Sequence, residues 1–246
     1  MFGPRPIVDH YISYDRSQRT RGISFDPKFF KSTRSYSRLL CSKHFYQRFS
    51  RYEYILIVQL DALLLKSDIA SWCDKQYSYI GAPWFEGFSN PTSPLKLAGV
   101  GNGGFSLRYV DHCLRVFDRI RYLPSYRSTR LIHGHKKISS MLNDLIAISN
   151  FYPLIYPVED VFWGAVVPDN LPWFKVPSPT VAAHFSFEVA PRYLFQLNKG
   201  QLPLGCHAWE RYDADFWNEV LGAEFFDSLG NQNELNFKNR LVDRQP

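Results

Sequence analysis

The run Y-I-L-I-V-Q-L-D-A, Tyr54–Ala62, places the tightest limit on how this chain can fold. An apolar run this short is not a helix of its own, and one this continuous does not leave a strand face in water. It predicts a strand over Tyr54–Gln59 that is buried on both faces, as in layered α/β sheets. Around it, helical spacing alternates with further short apolar runs. Ser35–Phe49 can set Tyr36, Leu39, Leu40, Tyr46 and Phe49 on one broad helical face, and a short helix is expected near Asp68–Asp74. Strands are expected at Tyr77–Ile80, Phe105–Leu107 and Val181–Glu188, and helices from Val110 to Ile120 and around Ile138–Ile148. Phe85–Ala98, with Gly87, Pro91 and Pro94, reads as a loop, and Gly205–Trp209 as a turn. Strands alternating with helices give a mixed α/β domain, a sheet flanked by helices. The expected boundaries are a basic, irregular segment at 1–33, the α/β domain at 34–229 and a polar tail at 230–246.

Composition narrows the class. Of the 246 residues, 45% are hydrophobic and 17% aromatic, which excludes a disordered chain and supplies flat surfaces for sugar rings or bases. The formal net charge of +6 is concentrated early, in Arg16, Arg19, Arg21, Lys28, Lys31, Arg34, Arg38, Lys43, Arg48 and Arg51. Such a stretch suits a solvated face, an anionic membrane surface or a phosphorylated substrate. It also suits nucleic acid, but no recognised nucleic-acid-binding module accompanies it. Cys41, Cys73, Cys113 and Cys206 are too scattered for a zinc site or a disulfide framework, which points to a reducing compartment. With no apolar run of the ~18 residues that span a bilayer and no secretory h-region, a cytoplasmic protein is expected.

Three segments carry chemistry. Asp61 follows the Tyr54–Gln59 strand, and ligands of open α/β sheets bind at the carboxyl ends of strands. A carboxylate there either caps the next element or holds Mg²⁺ or Mn²⁺ against a diphosphate. Gly101-Asn102-Gly103-Gly104 is either a tight turn or a place where backbone N–H groups approach a ligand. In the second case Asn102 bonds a sugar hydroxyl and Arg108 pairs with phosphate. In Y-P-L-I-Y-P-V-E-D-V-F-W-G, Tyr152–Gly164, two adjacent acids lie among apolar residues, a costly arrangement unless they have partners or a task. Asp160 is the candidate general base, with Glu159 touching the acceptor or supporting the site; a helix N-cap is the other reading of Asp160. His207 can complete a metal site, with His184 as its competitor. Trp84 and Trp163 are either sugar-site walls or core.

Taken in order, Q-L-D (Gln59–Asp61), I-G-A-P-W (Ile80–Trp84), G-N-G-G-F-S-L-R (Gly101–Arg108), V-E-D-V-F-W (Val158–Trp163) and G-C-H (Gly205–His207) resemble glycosyltransferases of the GT-A fold. They are most similar to a little-characterised family of glycosyltransferase-like proteins. The E-D-V block is also similar to that of fringe-like β-1,3-glycosyltransferases, whose Asp is the catalytic base. The resemblance covers Ser35 to Trp209. It implies a nucleotide-sugar donor, a glycan or lipid-linked acceptor, inversion at the anomeric carbon and a divalent cation held by Asp61 and His207. Gln59 stands where the family's metal motif has its first acid, so the cation is expected to be held weakly. The resemblance also implies an opening β-α-β segment that is shortened here. A non-catalytic carbohydrate- or nucleotide-binding remnant, or a basic nucleic-acid-binding protein, are the readings from other classes.

Overall fold

A computed structural model describes residues 1–15, 17–119 and 158–222. The helix expected around Ile138–Ile148, the lead-in Tyr152–Pro157 and the tail from 230 lie outside them. The architecture is mixed α/β, with small sheets flanked by helices.

Residues 1–33 are not irregular as expected. Strands β1 (Phe2–Gly3) and β2 (Ile23–Ser24) pair in parallel, and helix α1 (Arg5–Ile12) lies between them in sequence. Two prolines of this segment start elements: Pro6 sits in the first turn of α1, and Pro27 opens a 3₁₀ turn capped by Asp26. Phe2 fastens this unit to the main core, with its ring 5.2 Å from that of Phe45 and 6.4 Å from that of Phe49.

The helix expected from Ser35 to Phe49 is two. Ser32 and Ser35 form a reciprocal cap that starts α2 (Thr33–Leu40). Ser42 then leaves helical geometry, and its hydroxyl accepts the N–H of Phe45 to start α3 (Lys43–Gln47). A serine that caps the second helix breaks the apolar periodicity that joined them.

Strand β3 (Tyr54–Val58) forms where expected but is not buried on both faces: Ile57 is buried, its neighbours are partly exposed, and Val58 is 48% exposed. It leads into β4 (Ala62–Leu64), then α4 (Ala70–Asp74), β5 (Tyr79–Ile80), β6 (Ala82–Phe85), β7 (Leu97–Gly101) and β8 (Phe105–Tyr109). The order β3-β8-β5 is antiparallel throughout, with β8 central and buried on both faces. Helix α5 (Val110–Arg119) follows. After residue 158, α6 (Glu159–Val161) continues through a π-helical segment (Phe162–Val166) into α7 (Val167–Asn170).

Val181–Glu188 is mostly not a strand. Ser178 caps and Pro179 opens helix α8 (Pro179–Phe185), leaving only β9 (Ser186–Phe187) extended. After α9 (Pro191–Leu197) comes β10 (Gly205–His207), where a turn was expected; helix α10 (Ala214–Leu221) closes the described chain. Strand β10 pairs antiparallel with β4 and parallel with β9, and this register sets His207 opposite Ala62.

Three apolar clusters form among the described residues, the smallest of them holding Trp72, Ile80, Phe105 and Leu107. One joins Leu39, Phe45, Tyr46, Val116 and Trp163 between α2, α3, α5 and the π segment. Another packs Phe85, Phe187, Cys206 and Trp217 beneath β9 and β10. No helix among the described residues is long and apolar enough to cross a membrane.

Candidate functional site

The turn Gly101–Gly104 organises two charged groups, one on each side. Asn102 shapes it with a left-handed backbone (φ +78°), and its Oδ1 accepts the N–H groups of Gly104 (2.9 Å) and Phe105 (3.3 Å). Its own N–H donates to Asp160 Oδ2 at 3.1 Å. These N–H groups serve the protein itself, as in the tight-turn reading of the segment. The glycines make room for side chains instead. A Cβ on Gly103 would lie 2.0 Å from Glu159 Oε1, and one on Gly104 would lie 2.1 Å from the His207 ring. Gly101 likewise lies flat against the Trp84 indole.

On the first side Arg108 is wholly buried. Its Nη2 donates to Glu159 Oε1 (3.0 Å), Nη1 to the Tyr46 hydroxyl (3.1 Å) and Nε to Ser106 Oγ (3.1 Å). This corrects one expectation and decides between the two readings of another. Arg108 lies on the inward face of the central strand and cannot pair with a donor phosphate. Glu159, 4% exposed and shared between Arg108 and the Ser37 hydroxyl, does not face an acceptor. It is a structural counter-ion.

The second side is open. Gln59, Leu60 and Asp61 form the turn from β3 to β4, fixed where the Gln59 N–H meets the Gly104 carbonyl (2.8 Å). The next sheet carries His207 to this turn through the β4–β10 register. His207 Nε2 lies 3.2 Å from Gln59 Oε1 and 3.3 Å from Asp61 Oδ1, while Nδ1 lies 2.9 Å from Glu188 Oε1. Burial favours the neutral imidazole, but the bond to Glu188 and the charges of Glu188, Asp61 and Asp160 outweigh it and raise the His207 pKa. The Tyr36 hydroxyl lies beside the Gln59 side chain.

Asp160 links the two sides. Its oxygens accept the Asn102 N–H and the Val161 N–H (2.8 Å), but it lies within α6, whose N-cap is Val158, so it is not the helix N-cap that was its other reading. Burial, then the charges of Glu159 and Glu188, push its pKa up to about 7, against those two bonds. The two adjacent acids therefore have different environments.

Trp84 and Trp163 do not wall a sugar site. Trp163 is fully buried, its N–H donating to the Leu40 carbonyl, and Trp84 is 7% exposed. His184 is exposed in the last turn of α8, away from the cluster. The sequence reading missed Glu188 and Tyr36. Glu188 carried the same signal as Asp61, an acid directly after an apolar run; Tyr36 carried none beyond its place on a helical face. Asn102 Nδ2 is buried and has no hydrogen-bond partner among the described residues.

Among the described residues, no group of three or more His, Cys, Asp or Glu is arranged to hold a metal. With the Gln59 amide counted, three donors of types that divalent cations accept do meet: one carboxylate, one imidazole nitrogen and one amide oxygen. The Nδ1 bond to Glu188 is the outer contact that orients a ligating imidazole. The residues present therefore fit a cation, as a site poor in charge.

A mixed α/β protein with an acid-rich strand-end cluster is the class that fold and geometry define. The chain belongs to the family described as protein of unknown function (DUF5672), whose model matches residues 19–207 and so spans the whole cluster. No curated protein and no solved structure matches the chain.

Proposed function

We propose that this chain is a GT-A-type glycosyltransferase that moves a sugar from a nucleoside-diphosphate sugar to a hydroxyl of a glycan or lipid-linked acceptor, with inversion. The observation that carries this reading is that His207 Nε2 lies within 3.3 Å of both Asp61 Oδ1 and Gln59 Oε1, with Asp160 bonded to the adjoining Asn102 turn. Asp61, Gln59 and His207 would hold Mn²⁺ or Mg²⁺, which when bound offsets charge on the departing diphosphate. Glu188 would keep the proton of His207 on Nδ1, leaving Nε2 free as a donor atom. The Asn102 N–H would hold the Asp160 carboxylate toward the acceptor. Asp160 would take the acceptor proton as that oxygen bonds to the anomeric carbon and the bond to diphosphate breaks. The exposed Leu60 at the tip of the turn offers an apolar contact beside Asp61. The early basic residues would bring the enzyme to an anionic cytoplasmic membrane face.

The test is Asp160→Asn, assayed for transfer from UDP- and GDP-sugars and, separately, for UDP binding with Mn²⁺. Loss of transfer with binding retained is expected; loss of both in a folded protein would make Asp160 structural. A non-catalytic remnant is the second reading, and Gln59 favours it by withholding a second acid from the cation. Turnover by purified protein would exclude it.

A further inference from the structure

A concavity is lined by residues close to the cluster along the chain. A cavity of about 400 Å³ is lined by Leu95, Arg192, Tyr193, Arg211, Tyr212 and Asp213, with Ala190 and Pro191 at its edge. That volume is in the range of small-ligand sites. Its walls leave the cluster along the chain. Ala190 is two residues beyond Glu188, which limits their Cα separation to about 7 Å, and Arg211 is four residues beyond His207. Leu95 precedes β7, the strand that ends at the Asn102 turn.

The two arginines differ. Arg192 is neutralised, with Nε and Nη2 on Asp213 (2.7 and 3.3 Å) and Nη1 and Nη2 on Glu219 (2.6 and 2.8 Å). It is a fixed wall. Arg211 has no ion pair among the described residues; its guanidinium lies over the Tyr212 ring at 5.1 Å from the centroid. Stacking holds the group without using its N–H donors, which remain available for a planar anion. Asp213 and Glu219 both lie on Arg192, so the charges of these three residues and Arg211 sum to zero, and Arg211 is the lining's cation with no acid bonded to it among the described residues. Tyr193, braced edge-on against Phe85 at 5.6 Å, and Tyr212 add aromatic surface of the kind that packs on sugar rings. Both lips use left-handed backbone without glycine, at Ala190 (φ +51°) and Asp213 (φ +58°), so packing over-determines their shape.

We propose that this pocket is the acceptor subsite, and that it selects an acceptor sugar carrying an anionic group, carboxylate or phosphate, held by Arg211 and stacked on Tyr193 or Tyr212. This rests on the glycosyltransferase reading. The test is calorimetric titration of digalacturonate, glucose 6-phosphate and neutral maltose into the full chain, Arg211→Gln and Arg211→Lys. At least one anionic sugar should bind the wild type tenfold or more tightly than maltose. Which one does so identifies the anion. Arg211→Gln should reduce that preference to no more than twofold, and Arg211→Lys should keep part of it. Maltose binding as well as both anionic sugars, no binding of either anionic sugar, or a preference unchanged in Arg211→Gln would overturn the proposal. UDP titrated with Mn²⁺ into the same protein separates the two failures. Anion selectivity without UDP binding removes the acceptor role and the enzyme reading together, whereas UDP binding without anion selectivity removes the pocket alone.

Discussion

The turn Gly101–Gly104 separates two charge clusters that resemble each other in composition and differ in design. On one side Arg108 and Glu159 are sealed, each bonded to further polar side chains, with 0% and 5% of their side chains exposed. On the other, Asp61 is 51% exposed and His207 15%, and acids outnumber the imidazole they surround. A sealed, balanced pair fixes the geometry of the core. An open, unbalanced one invites a cation or a ligand to complete it. Adjacent residues, Glu159 and Asp160, fall on different sides of this division, so neighbouring acids in a sequence need not share a role.

The comparison breaks most severely at the sealed side. Glu159→Gln strands the Arg108 charge in the core and should cost about 3–5 kcal/mol in denaturant unfolding. The double variant Arg108→Met with Glu159→Leu should recover most of that stability; if the double variant is no more stable than Glu159→Gln, the pair does more than satisfy its own charges.

Gly104→Ala probes the boundary itself. The new methyl drives into the His207 ring and should cost about 1–3 kcal/mol. It should also weaken any Mn²⁺ dependence of UDP binding, whereas Gly103→Ala, directed at Glu159, should lower stability with less effect on the metal.

Asp160 offers a sharper contrast. Its folded pKa of about 7 stands above the ordinary 3.8, so between those values the folded chain keeps a proton that the unfolded chain has lost. Stability contributed by this group is complete below pH 4 and declines as pH rises toward 7. Asp160→Asn should therefore gain about 1–2 kcal/mol over the wild type at pH 8 and nothing at pH 4, as read from unfolding at both. Transfer by the wild type should rise with pH through about 7 as the base loses its proton. An activity that is flat from pH 5 to 9 would remove Asp160 from that role. The smallest stability effect belongs to Asp61→Ala, below about 1 kcal/mol, because a half-exposed ion pair contributes little.

Much of this was legible in the chain, and the rest was hidden for physical reasons. Strand β3, helix α5 within the described residues and the strand at Phe105 follow from apolar periodicity. The breaks at Ser42 and Ser178 were written in capping residues that periodicity ignores. At the site, Gln59, Asp61, Asn102, Asp160 and His207 do come together, as residue type and order suggested. Arg108 was misplaced, and Glu159, Trp84 and Trp163 were left with two readings each, because a sequence gives polarity but not which face of a buried strand or helix a side chain occupies. The glycines had two readings, a tight turn or room for a ligand, and Gly103 and Gly104 yield their space to Glu159 and His207.

The most direct measurement is calorimetric titration of UDP and GDP, with and without Mn²⁺, into the wild type and Asp61→Ala. The account predicts Mn²⁺-dependent binding of at least one nucleotide to the wild type and its loss in the variant, with the fold unchanged. Binding that is indifferent to Mn²⁺ and to Asp61, or no binding by the folded wild type, would contradict it.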